Sequence, residues 1–222
     1  MNPRGLHAVA GISDHAWSAE FVDDHGVPAR WDPCTPIHFV VDLAYAPAGA
    51  LGDVQQAFAR LAQATGMTFV DDGVRQERPE RDRAAYQPDA YGQRWAPMLV
   101  SWSPPAQTDL LGDPHAQAVT VPIAVPGGGS GGSIVTAEVV LNADRLLPVG
   151  FGPGPSEGEV LMHELGHAVG LGHVSSRTEA MYPSVRGVAA YGPGDLAGLD
   201  TLGRPSGCHP APAAHPLSQA VG

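Results

Sequence analysis

One short stretch constrains this chain more than anything else in it: His163-Glu164-Leu165-Gly166-His167-Ala168-Val169-Gly170-Leu171-Gly172-His173. Residues four apart on an α-helix share a face, so His163 and His167 project side by side. Two imidazoles placed this way can both bind one tetrahedral zinc. Glu164 follows the first of them, beside such a metal rather than on it, where a carboxylate can act on water. Gly170 can adopt the left-handed backbone that ends a helix and turns the chain sharply, bringing His173 back as a third ligand. Three ligands leave the fourth tetrahedral position open, which distinguishes catalytic from structural zinc sites. A bare HExxH pentapeptide also occurs in helices that bind nothing. Gly170 and His173, both in place, make the pattern specific.

The helix carrying this motif should begin at Ser156, a good N-cap, with Glu157 and Glu159 in its first turn. Upstream, the apolar, β-branched run Ile37–Leu43 follows a proline and reads as a strand. Residues 48–65 place Leu51, Val54, Phe58 and Leu61 at helical spacing and stop at Gly66. Short strands are expected at 67–70, 98–102 and 134–141. Another, at 118–125, is interrupted by Pro122 and therefore belongs at a sheet edge. Residues 71–97 read as a charged, solvated loop, 126–133 as a flexible glycine loop, and 195–202 as a last short helix.

The chain has 222 residues, 43% of them hydrophobic and 16% charged, which fits one packed domain. Its net charge is −11 and every basic residue is an arginine, which disfavours a nucleic-acid partner. No apolar run reaches the length of a bilayer span, and the N-terminus lacks the apolar core of a signal peptide. Cys34 and Cys208 stand in no CxxC pair, and two free thiols are one reading of them. Asp53, Asp109 and Asp113 are loop carboxylates that are candidate calcium ligands, weighed against ordinary turn or cap roles.

The zinc segment resembles the HExxHxxGxxH signature of metzincin peptidases. Met181, in Ala180-Met181-Tyr182-Pro183, is similar to the Met-turn that this family places beneath its metal; standing alone it would read as a core methionine. Among metzincins the likeness is greatest to matrixins, through MYP, the downstream GDLAGLDTLG and the upstream VPIAVPGGGSGG. RWDPCTPIHFVVD resembles the first strand of bacterial matrixin-like proteins, so the resemblance runs from Trp31 to Cys208, loosely before Met98. Departures are Val174 where Ser or Thr is usual, Ile123 in place of a structural-zinc histidine, and Pro183 where other metzincins carry a tyrosine. WDPCTP lacks the glycine and aspartate of a cysteine-switch segment.

The resemblance implies an α+β fold: a twisted mixed sheet with an antiparallel edge strand, two long helices, a Met-turn and a C-terminal helix. It implies a catalytic domain over 31–208, an N-terminal extension over 1–30 that packs on it or is partly mobile, and a flexible tail over 209–222. It further implies a secreted, monomeric zinc endopeptidase with one catalytic zinc on His163, His167 and His173 and with Glu164 as general base. A polypeptide would bind as an extended strand against residues 121–125, and 183–191 would shape the pocket past the scissile bond. Neither nucleic acid nor membrane is an expected partner. The family's secreted members favour a Cys34–Cys208 disulfide over a switch in which Cys34 binds the metal. The rival functional reading is a zinc-bearing binding module on a protease scaffold with little or no catalysis, against which Glu164 argues.

Overall fold

The computed structural model describes residues 5–113, 115–127, 131–188 and 190–217. The first residues of the N-terminal extension, the centre of the glycine loop, one residue of the 183–191 segment and the end of the tail lie outside the described residues. In chain order the elements are β1 (Leu6–Ala8), β2 (Ser18–Ala19), β3 (Phe21–Asp23), β4 (Ile37–Asp42), α1 (Ala50–Thr65), β5 (Phe69–Val74) and α2 (Pro88–Tyr91). They continue with β6 (Met98–Ser103), β7 (Ala118–Val125), β8 (Ser133–Asn142), α3 (Glu157–Ala168), β9 (Leu171–Gly172) and α4 (Pro193–Leu202).

The apolar runs pair into a five-stranded mixed sheet of order β5-β4-β6-β8-β7, parallel except for β7. Pro122 sits where its lack of an N–H does least harm, on a strand with one neighbour in the sheet and next to a register shift after Ile123. α1 buries Val54, Ala57, Phe58 and Leu61 against the sheet, with Phe58 stacked on Phe39 at 3.8 Å between ring centroids. Gly66, at φ 69°, ends that helix as expected. α3 joins the same core through Leu161, Leu165 and Ala168. This mixed α+β arrangement is the one expected for a metzincin-type catalytic domain.

Three expectations need correction. The strand expected at 67–70 runs instead over Phe69–Val74, into acidic sequence. There the charge of Asp72 is met by His38 Nδ1 at 2.8 Å and Arg94 Nη2 at 2.6 Å. The charged stretch 71–97 is not simply a solvated loop, because Arg83 is buried and donates to Glu77, Thr136 Oγ1 and the Pro97 carbonyl. The tail is held along part of its length: buried His209 meets the Gly132 carbonyl at 2.8 Å, and the Trp95 indole donates to the Pro212 carbonyl at 3.0 Å. Cys34 and Cys208 form a disulfide, Cα to Cα 5.3 Å, that joins this end to the approach to β4.

The N-terminal segment is wound into the body of the protein. β1 and β3 form a two-stranded antiparallel sheet, β2 pairs antiparallel with β9, and Ser13 bridges to Val174. Just after it, the Trp31 indole donates to the Ala168 carbonyl at the end of α3, 2.9 Å away. No helix among the described residues is long and apolar enough to cross a membrane.

Candidate metal centre

Ser156 caps α3 as its sequence predicts, its hydroxyl accepting the Glu159 N–H at 3.3 Å. The helix stops at Ala168, and Gly170, at φ 107°, turns the chain into β9. That turn delivers His173 opposite the two helical histidines. The three Nε2 atoms lie 3.1 to 3.2 Å from one another. A tetrahedral zinc with nitrogens at 2.0–2.1 Å would hold them about 3.3–3.4 Å apart, so the spacing fits. The proton inventory fits as well. His163 and His167 use Nδ1 to reach the carbonyls of Ala180 (2.7 Å) and Leu171 (2.8 Å), which takes an N–H on each Nδ1. Their Nε2 lone pairs then converge with no proton between them, an arrangement that a cation satisfies.

Burial and the neighbouring rings push the imidazoles of His163 to about 3 and His173 to about 4, which keeps both neutral and ready to bind metal. Burial would lower His167 too, but Glu20 and Glu164 outweigh it and raise it.

Residues 154–201 match the matrixin family. No curated protein gives a match to the chain. The matched segment, from the approach to α3 into α4, is matrixin-like in sequence and implies a zinc metallopeptidase. The three histidines are the metal-holding group it needs. Among the described residues the one other such group is Asp32, Cys34 and Cys208, whose sulfurs are joined to each other. That bond removes the cysteine-switch reading of Cys34.

Glu164, 7% exposed, points into the same cleft as the histidines. Its Oε2 accepts the Thr120 hydroxyl at 2.6 Å, and its main-chain carbonyl lies 3.1 Å from the same oxygen. Burial raises the Glu164 carboxyl above its ordinary range, with His167 and the Thr120 hydrogen bond opposing. The cleft, of about 720 Å³, is lined by residues 116–120, which lead into the edge strand, by Pro183, Ser184 and Val185, and by Val9, Gly11 and Glu20 of the N-terminal segment. The stretch 121–125, against which a substrate strand is expected from the sequence, does not line this cleft. Val121 to Ala124 line a different groove, with Arg83 and Tyr86, because β7 meets α3 at Thr120.

Met181 is buried, and a β-carbon on Gly166 would overlap its sulfur, so the helix and the 179–182 turn are in direct contact. The turn is fixed by Asp195 of α4, which accepts the N–H groups of Ala180 (2.5 Å), Met181 (3.2 Å) and Gly192 (2.9 Å). The Ala180 carbonyl that orients His163 is therefore set by an acid at the start of another helix. Glu159, read in the sequence as a first-turn charge, accepts the N–H groups of Arg186, Gly187 and Val188 and pins the loop after Met181.

Thr120, Glu20 and Asp195 were not foreseen as site residues. Only Asp195 carries a local signal, an acid at the third position of a Gly-Pro-Gly-Asp helix start. Asp53, Asp109 and Asp113 have other work: Asp53 accepts the Gly150 N–H, Asp109 pairs with Arg81, and Asp113 caps the His115 N–H. None of them joins a metal-holding group among the described residues.

Proposed function

We propose that this protein is a secreted zinc endopeptidase that cleaves extended polypeptides. One observation carries the reading: three imidazole Nε2 atoms converge within 3.2 Å, with a buried glutamate beside them, in a cleft bordered by the edge strand of a sheet. Zinc bound there supplies a Lewis acid that lowers the pKa of water towards neutrality and polarises a carbonyl. Glu164 takes the proton from the attacking water and returns it to the leaving amine. Its raised pKa suits both halves of that exchange, and Thr120 holds the carboxylate in one orientation.

Among the described residues β7 pairs with β8 alone, so a peptide can add along its other edge, antiparallel, near residues 117–120. The segment from Pro183, pinned through Glu159, forms the wall for the side chain past the scissile bond. The disulfide and the matrixin match favour an extracellular setting. The buried, hydrogen-bonded Glu164 favours catalysis over a binding module, which has no use for a general base.

The test compares wild type with Glu164→Ala on an unstructured protein substrate, each loaded with one equivalent of zinc. Turnover should fall by about 10²- to 10⁴-fold while the metal stays bound. An alanine variant within a few-fold of wild type, or a wild type that is silent at full zinc occupancy, would overturn the proposal.

A further inference from the structure

Glu20 belongs to the N-terminal segment, remote in sequence from the histidine motif, yet its carboxylate Oε2 lies 3.3 Å from His167 Nδ1. The geometry points to Glu20 as a positioning residue for the metal centre, a carboxylate behind a ligand histidine that tightens zinc binding. The inference rests on the zinc reading above and goes beyond the histidine motif, which ends at the ligands themselves.

Residue 20 is fixed at the junction of two strand pairings. Its N–H donates to the Gly170 carbonyl at 2.7 Å, and its carbonyl accepts the Val9 N–H at 2.9 Å. On one side β2 pairs with β9, the strand leading to His173; on the other β3 pairs with β1. The strap is fastened again where Ser13 donates to the His173 carbonyl at 3.0 Å and accepts from the Ser175 N–H at 2.8 Å. The backbone therefore leaves the Glu20 side chain little choice but the metal cleft, whose lining it joins.

What it finds there is the back of a ligand. His167 Nδ1–H already reaches the Leu171 carbonyl at 2.8 Å, and Glu20 brings a carboxylate oxygen to the same side of the ring. A carboxylate in that position makes the imidazole a stronger donor and holds its tautomer and its plane. Among the described residues, His167 is the ion-pair partner of Glu20, and no arginine lines the cleft to neutralise it.

Zinc affinity, measured by competition with a chelator of known strength, tests the assignment without reference to turnover. Glu20→Gln should weaken zinc by about 10- to 100-fold. It should also shift the visible absorption of the cobalt-substituted protein, while the melting temperature of the metal-free form stays close to wild type. Asp24→Asn, just past β3 in the same segment but exposed and paired with His7, should leave zinc affinity unchanged. Glu20→Asp, with the charge drawn back by one methylene, serves if the glutamine variant fails to fold, and it too should weaken zinc. Parity with wild type in whichever variant folds overturns the role of Glu20 alone. A wild type that binds no zinc overturns the metal reading and this one with it.

Discussion

Glu157 gives a stability prediction with a sign and a size. It is 2% exposed, its carboxylate accepts the Trp102 indole N–H at 2.6 Å, and burial, with Asp53 nearby, pushes its pKa up to about 7. The folded form therefore holds a proton that the unfolded chain, titrating near 4.5, has already released. The contribution of a raised carboxyl is fully present below the unfolded pKa and is lost as pH rises through the folded one. Between pH 5 and pH 8 that loss comes to about 2.5 kcal/mol for this group. Glu157→Gln keeps an acceptor for Trp102 and cannot ionise. It gives up an acceptor used by the Leu147 N–H, a penalty of about 1 kcal/mol that is the same at every pH and cancels in the comparison. The assay is urea unfolding of wild type and variant, both metal-free with excess chelator, at pH 5 and pH 8. The variant should gain about 2.5 kcal/mol on wild type across that interval, or roughly 5–10 °C in melting temperature. Glu138, also raised to about 7 by burial, slopes the same way in both proteins and drops out of the difference. A variant whose stability relative to wild type does not move with pH would refute the reasoning.

Three further outcomes follow from other parts of the molecule. Reducing the Cys34–Cys208 bond, which spans 174 residues, removes a constraint on the unfolded chain worth on the order of 5 kcal/mol at most. Melting temperature should fall without release of zinc, and an unchanged melting curve on complete reduction would count against the bond. Thr120→Val deletes the hydroxyl that Glu164 accepts and should cut kcat/KM about tenfold at unchanged zinc content; full activity would mean that Thr120 does not orient the base. Gly170→Ala forces a side chain into a φ of 107° with its β-carbon 3.1 Å from Ile134 Cδ1. It should cost about 1–3 kcal/mol in urea unfolding and weaken zinc, since His173 follows that turn; wild-type values for both would remove Gly170 from the account.

What could be read in the sequence was what is contiguous in it. The helix, its Ser156 cap, the glycine turn and the three histidines fall within one short span, so spacing alone implies their geometry. The edge position of β7 was equally legible, because Pro122 forbids a central ladder. The residues that complete the centre answer to no such local rule. Thr120 and Glu164 are 44 residues apart, and they meet only because β7 lies against α3. Arg83 looked solvated because a charged side chain in a polar run ordinarily is; its burial depends on acceptors supplied by Glu77, Thr136 and Pro97, which periodicity does not reveal.

These remote residues share one task, and it explains why the chain wraps itself around so short a motif. A histidine binds metal well only if its other nitrogen and its ring plane are held. His163 is held by the Ala180 carbonyl, whose turn is fixed by Asp195 from α4. His167 is held by Leu171 and backed by Glu20 from the N-terminal strap. The backbone of His173 is clasped by Ser13 of that same strap. Each ligand thus has support from a sequence-distant part of the chain, His163 from α4 and both His167 and His173 from the N-terminal strap, and the metal centre forms only when the N-terminal segment, α3 and α4 have all docked. Zinc binding should therefore report on the folding of the whole domain, beyond the helix that carries the motif.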